Sequence, residues 1–285
     1  MKFEHMLAKD IEPCFKERIY QIKYDGSRAI LSNLGGQTKL INRRGTDKIS
    51  NYPEILTIVL PHKTVLDGEV VHLSQPPFKC DFYKLLRRDL TQDKFMIKLL
   101  MKKIPATFVA FDILWYKGRD LRQLPLRERL KILNKLSGNP EVFKICESFE
   151  NVDEINKIIA KHNLEGMVIK KADSRYVGGK SDLWVKRKVH LFDWYVVKGY
   201  KSMKREVSAL YLEDLQGNLK GYVNFTGLQA WVSKLRSMWT GETLIDHEKY
   251  PYKQIQSGVR AYVQHNPADI PLLREPVLLK LEERK

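Results

Sequence analysis

In the stretch QIKYDGSRAI, Gln21 to Ile30, Lys23 stands two places before Asp25-Gly26 and Arg28 closes the pattern. A lysine amine attacks an electrophile only when neutral, so a catalytic lysine needs desolvation or neighbouring cations to release its proton. WVKRK, Trp184 to Lys188, offers such cations in Lys186 and Lys188. The same charges can neutralise a phosphoryl group as its transition state forms. Two carboxylates complement them, Glu69 in LDGE and Glu165 in EGMVIK. A carboxylate together with phosphate oxygens is a natural hard ligand set for a divalent metal. Each residue also has an ordinary reading. Lys23 can be a solvated strand residue, Asp67 and Glu69 a turn pair, Phe111 a core side chain, Arg43-Arg44 a hairpin end and WVKRK a charged edge strand. GGKS, Gly178 to Ser181, resembles the end of a phosphate-binding loop, but Ser174 stands where that motif needs glycine and the flanks read as extended. Cys14, Cys80 and Cys146 are isolated, which indicates neither a disulfide framework nor a zinc site and makes a reducing compartment the default.

These side chains must be placed by short strands. Ile19, Tyr20, Ile22 and Tyr24, interrupted by Gln21 and Lys23, come close to the period-two pattern of a strand. Asp25-Gly26 reads as a turn in which glycine supplies a backbone conformation closed to other residues. LSNLGGQTKLINRRG predicts a hairpin turned at Gly35-Gly36, and KTVLDGEVVHL predicts two strand pieces pivoting at Asp67-Gly68. ATFVAFDILWY is a buried strand candidate. Helices are expected over LPLRERLKILNKLSG, with Pro125 in the first turn and Gly138 at the end, and over VDEINKIIAKHN. From about Phe192 the pattern becomes DWYVVKGY, VSALYLED and LKGYVNF, then a helix with Leu228, Trp231, Leu235 and Met238 on one face. A compact β-barrel with one helix accounts for this last third, with the boundary between Lys188 and Val189. The 285 residues suit two domains, and 50 Lys+Arg against 34 Asp+Glu give a formal charge of +16, which favours a polyanionic partner. No apolar run reaches membrane-spanning length, so the expected setting is the cytoplasm, away from membranes.

Lys23-x-Asp25-Gly26-x-Arg28 is followed, in order, by Asn42-Arg43-Arg44-Gly45, by Leu66 to Glu69, by Ala110 to Gly118, by Glu165 to Lys170 and by Trp184 to Lys188. This ordered set resembles the ATP-dependent DNA ligases, within the covalent nucleotidyltransferases that include RNA ligases and capping enzymes. The texture is most similar to the ligase module of bacterial end-joining ligases and to small bacterial or phage ligases. The resemblance implies an α+β, ATP-grasp-like nucleotidyltransferase domain over residues 1–188, two antiparallel sheets with flanking helices, and an OB-fold over 189–285. It implies a lysyl-AMP on Lys23, transfer of AMP to the 5′-phosphate of nicked double-stranded DNA, and sealing by the 3′-hydroxyl, in the service of DNA repair, replication or recombination. It further implies that Gln21 reads adenine and Phe111 stacks on it. Arg28 and Arg43 would contact phosphate or ribose, Glu69 the ribose, and Lys186 and Lys188 the phosphates, while Glu165 would help hold Mg²⁺ (or Mn²⁺). A monomer is expected, with any recruiting protein unknown.

Three departures stand out. Gln21 replaces a frequent glutamate but keeps a carbonyl acceptor. Arg44 replaces a common asparagine. The family's last motif survives only as Glu282 to Lys285, where Arg284 and Lys285 are the cations left to meet departing pyrophosphate. The rivals are an RNA ligase or capping enzyme within the superfamily, and a non-catalytic nucleic-acid-binding protein of the same fold.

Overall fold

The computed structural model describes residues 3–203, 206–245, 251–256, 258–267 and 271–283. The chain divides into two compact units, Met1–Lys188 and Val189–Lys285. Arg284 and Lys285, on which the expected C-terminal motif depends, lie outside the described residues.

Two sheets form the first unit. One runs Met6–Lys9, Gly179–Lys188, Gly166–Lys171, Arg18–Ile22, Ser148–Phe149 in spatial order. The other runs Phe143–Ile145, Thr107–Tyr116, Thr64–Val71, Ser27–Leu34, Gln37–Asn42, with Arg119–Asp120 added beside Thr107–Tyr116. Both are antiparallel apart from one parallel edge pairing in each, Met6–Lys9 in the first and Phe143–Ile145 in the second. The second sheet is covered on both faces, which is why Ala29, Ile30, Leu31 and Ser32 are buried in succession. Ala29 and Leu31 pack towards the cluster that holds Tyr52, Leu126, Leu130 and Leu133, while Ile30 packs with Met6, Tyr176 and Trp184 on the other face.

Local chemistry explains the elements. Gly35 and Gly36 take φ of 62° and 77° between Leu34 and Gln37, the two-residue turn whose twist suits a hairpin. The helix expected to run to Gly138 is shorter, Leu126–Leu133, with Pro125 ahead of its first residue. Val152–His162 is capped by Asn151, whose Oδ1 accepts from Asp153 N at 2.8 Å, and ends at Asn163 in the left-handed region. Two further helices, Phe82–Leu90 and Lys94–Lys103, were not expected from the sequence; Asp81 and Asp93 cap them, each accepting a backbone N–H of the first turn.

Two sequence expectations need correcting. Thr64–Val71 is one continuous strand instead of two pieces; the irregularity at Asp67-Gly68 belongs to its pairing with Thr107–Tyr116. Gly26 does not take a positive φ. A β-carbon there would collide with the Val70 carbonyl oxygen, so the residue is required for close approach of two strands.

In the second unit, Leu191–Met203 pairs with Glu206–Glu213, which continues through Leu219–Asn224, Arg274–Glu283 and Val259–Asn266 back to Leu191–Met203. Those five strands close a barrel, with the helix Ala230–Ser237 following the third of them, the arrangement of an OB-fold. Leu235 is fully buried, and Leu228, Trp231 and Met238 pack beside it against the barrel core. A hairpin of Trp239–Ile245 and Pro251–Ile255 extends the sheet from Leu191–Met203.

Candidate active site

Register in the first sheet aligns motifs that lie far apart in sequence. Lys170 faces Ile19 on one side and Trp184 on the other, and Val168 lies between Gln21 and Lys186. Two places along, Gly166 faces Lys188, and its carbonyl accepts from Lys23 N at 3.0 Å. Side chains two apart on extended chain share a face, so Gln21 and Lys23, the latter one residue past its strand, come together with Lys186 and Lys188 on another. Glu165, just outside the ladder, closes the group. Its Oε2 accepts from Lys23 Nζ at 2.7 Å, and its Oε1 lies 3.9 Å from Lys188 Nζ.

The second sheet supplies the opposite wall. Arg28 and Glu69 are direct cross-strand partners. Asp67 pairs with Asp112 and Gly68 with Ala110, so Phe111 is an extra residue in its strand, a bulge. A bulge re-aims a side chain without lengthening the partner strand, and here it turns Phe111 into the space between the sheets. The Arg28 guanidinium lies 4.3 Å from the Phe111 ring centroid and the Lys170 amine 4.5 Å.

Between the walls is a cleft of about 330 Å³. Of the nine residues singled out from sequence, Gln21, Lys23, Arg28, Arg43, Glu69, Phe111 and Lys186 line it, while Lys188 and Glu165 stand behind Lys23. The cleft adds Lys170, Trp184 and Lys180, to which sequence reasoning gave no role. Lys170 and Trp184 sit inside quoted motifs, and Lys180 is the lysine of GGKS, so their signal was present in the sequence.

Arg28 is held rather than free. Its Nε and Nη2 donate to Asp67 Oδ1 and Oδ2 at 2.7 and 2.6 Å, and Nη2 also reaches the Met6 carbonyl at 3.1 Å. Tyr176 Oη donates to Asp67 Oδ2 at 2.6 Å and accepts from Met6 N at 2.8 Å. This network fixes the first strand of one sheet against the other. The charges around Lys23 also differ from expectation: its amine is paired with a carboxylate. Lys186 lies 3.6 Å from Asp10, and Lys188 shares Glu165, so neither acts as an uncompensated cation beside the nucleophile.

Burial tunes two more groups. It pushes the Glu69 carboxyl up to about 7 against the opposing pull of Arg28 and Lys23. It pushes the Lys170 amine down to about 8, with Asp112 resisting. Gln21 Nε2 donates to Ser148 Oγ at 2.9 Å, while its Oε1 is buried without a partner. A buried acceptor left open at the wall of a cleft is ready for a ligand N–H.

A mixed two-sheet domain with this cleft, joined to an OB-fold, has a clear match among solved structures. The Lig E DNA ligase described as binding DNA with a minimal scaffold matches with a TM-score of 0.65 at 18% identity, over 99% of this chain and 100% of that one. Residues 4–188 match the ATP dependent DNA ligase domain family. The SPbeta prophage-derived DNA ligase-like protein LigB of Bacillus subtilis is 32% identical over 224 residues, 77% of this chain and 78% of that protein. The bifunctional non-homologous end joining protein LigD of the same organism is 30% identical over 198 residues, 62% of this chain and 32% of that longer protein. The chain belongs to the ATP-dependent DNA ligase family.

Proposed function

We propose that the protein seals nicks in duplex DNA through a lysyl-AMP on Lys23. The observation that carries this reading is the Lys23 amine at the wall of the cleft, 2.7 Å from Glu165 and in one cavity with Gln21, Phe111, Arg43 and Glu69. In the first step the Lys23 amine attacks the α-phosphorus of ATP. A nitrogen–phosphorus bond forms, the bond to the β-phosphate oxygen breaks, and pyrophosphate leaves. Glu165 is placed to take the amine proton, a role that needs a carboxylate within hydrogen-bond reach. Gln21 Oε1 accepts from the adenine amino group, Phe111 packs on the base and Glu69 holds the ribose. Lys186 and Lys188 meet the phosphates, with Arg43 at the rim and Arg28 positioning Phe111. In the second step a 5′-phosphate oxygen of the nick attacks the same phosphorus and Lys23 departs as the amine. In the third, the 3′-hydroxyl attacks the 5′-phosphate and AMP leaves.

Among the described residues no cluster of three metal-binding side chains exists. Mg²⁺ or Mn²⁺ would arrive on the nucleotide, because such ions are commonly held by one or two carboxylates plus substrate phosphates. Glu165 is the carboxylate that would hold it, and the bound ion supplies neutralisation of phosphate charge. A monomer acting in the cytoplasm completes the reading, and no helix among the described residues is long and apolar enough to cross a membrane. DNA contact would rest largely on phosphates, given the +16 charge.

The test is incubation with labelled ATP and Mg²⁺, then addition of nicked DNA or nicked RNA. Label on protein that moves to DNA and disappears on sealing is expected. Label that moves only to RNA would replace this reading with RNA ligation, and absence of labelled protein would defeat it.

A further inference from the structure

The outer face of the barrel carries an aromatic array that the cleft chemistry does not use. In Leu191–Met203, Tyr195 and Val197 point into the barrel core, so Phe192 and Trp194 point outward. In the neighbouring strand Ala261 and Val263 are core, so Tyr262 and Gln264 share that outer face. Register sets Phe192 opposite Gln264, Trp194 opposite Tyr262, and Tyr262 opposite Lys280. The rings of Phe192 and Tyr262 are 6.3 Å apart and inclined by 30°; those of Tyr262 and Trp194 are 5.0 Å apart and inclined by 35°. At these separations the three rings overlap in an offset stack across the two strands, with Phe192 at its exposed end. The Lys280 amine stands 5.6 Å from the Trp194 ring and is also 3.4 Å from Glu282, which is opposite Arg260 in the register. Phe192 is 47% exposed although it is large and apolar.

Cross-strand aromatic pairs stabilise a sheet by themselves. That accounts for Trp194 against Tyr262 but not for an exposed phenylalanine extending the row. An exposed aromatic stack beside a lysine, on a β-barrel surface in a strongly basic chain, is recognition chemistry for unpaired nucleobases: every base offers a face to stack on, and a phosphate between bases can meet the Lys280 amine. A duplex keeps its base faces stacked internally and cannot stack on an exposed ring in this way. We propose that Phe192, Tyr262 and Trp194, with Lys280, form a stacking subsite for single-stranded DNA, separate from the nucleotide cleft. The occupant would be a short unpaired stretch whose base continues the stack from Phe192, its exposed end.

The test uses fluorescein-labelled oligothymidylate about 16 nucleotides long. Binding to the whole protein is compared with binding to Phe192→Ala, Trp194→Ala and the double variant. Loss of stacking on one ring weakens binding by roughly tenfold, and the double variant should lose more. An abasic oligomer of the same length supplies the phosphates without the bases, and the original protein and the variants should bind it equally. Melting curves identify any variant whose barrel is unfolded. Phe192→Ala, at the exposed end of the row, keeps the question answerable if Trp194→Ala fails to fold. Protein-AMP formation is measured alongside and should be unchanged, so failure of the cleft reading and failure of this one are told apart. Equal affinity of Phe192→Ala and the original protein for oligothymidylate, or an equal loss with the abasic oligomer, would overturn the proposal.

Discussion

The cleft and the helical flank of the first unit both bury charge, and they differ in what is left unpaired. On the flank, Arg129 and Asp112 are fully buried and joined by two hydrogen bonds, 2.7 Å from Nε and 2.8 Å from Nη2. Arg129 Nη1 is taken up by the Leu124 and Ser174 carbonyls, and Asp112 Oδ1 also accepts from Ile113 N. Arg88 is bound to Glu54 through Nη1 and Nη2, with the Asn51 and Ile104 carbonyls as further acceptors, while its buried Nε has no partner. In the cleft, pairing stops short. Gln21 Oε1 and Trp184 Nε1 are buried without partners, and the Lys23 side chain is 23% exposed beside its carboxylate. The Arg129–Asp112 pair is saturated and specifies the scaffold; the open groups at the cleft wall are where a ligand can supply the missing half. Breaking the first kind should therefore appear in stability, and breaking the second in rate.

The largest effect is expected from Lys23→Ala, which removes the nucleophile. Protein-AMP should disappear, with DNA that already carries a 5′-adenylate still sealed slowly, and Lys23→Arg should not rescue it because guanidinium stays protonated. An adduct of normal yield on the alanine variant would break the assignment. Next comes the scaffold. Arg129→Met leaves Asp112 charged and buried, which should cost about 3–5 kcal/mol of unfolding free energy, measured in urea. A loss below about 1 kcal/mol would erase the distinction drawn between the two regions. Glu165→Gln should show the opposite pattern. The carboxyl is buried, but glutamine keeps its shape and a carbonyl acceptor, and Lys23 and Lys188 stay partly exposed to water, so stability should change by less than about 1 kcal/mol. Adenylylation should slow by roughly a hundredfold or more, the range for loss of a proton acceptor.

The smallest effect concerns Glu69. Its folded carboxyl titrates near 7, above its ordinary 4.5, so the folded state holds a proton that the unfolded state gives up. The contribution of this group is present below pH 4.5 and lost as pH rises to about 7. Glu69→Gln should flatten stability against pH across that window. An unchanged slope would remove Glu69 from the account.

What the sequence made legible follows from this contrast. Lys23, Glu69, Glu165, Lys186 and Lys188 could be read because their motifs follow one another in the order of the family they resemble; taken singly, each had an ordinary reading that would have prevailed. The barrel was legible from its short strands and from the spacing of Leu228, Trp231 and Leu235. The bulge that turns Phe111 inward was not legible, since it exists only in the register with Asp67 and Gly68. Arg129 and Asp112 escaped notice because nothing local marks a pair formed between a strand and the helix beyond it. Gly26 was noticed for the wrong reason, its constraint being the Val70 carbonyl of another strand. The carboxylate beside Lys23 was missed as a partner for the amine, because Glu165 is 142 residues away in the chain. In each case the missing information was a tertiary pairing.

The most direct test of the central claim is to incubate the original protein with ATP and Mg²⁺ and locate the product by intact-mass and peptide mass spectrometry. The account predicts one added AMP, on the peptide containing Lys23, released when nicked DNA is supplied. An AMP on a different lysine, such as Lys170 or Lys180 in the same cleft, would contradict it.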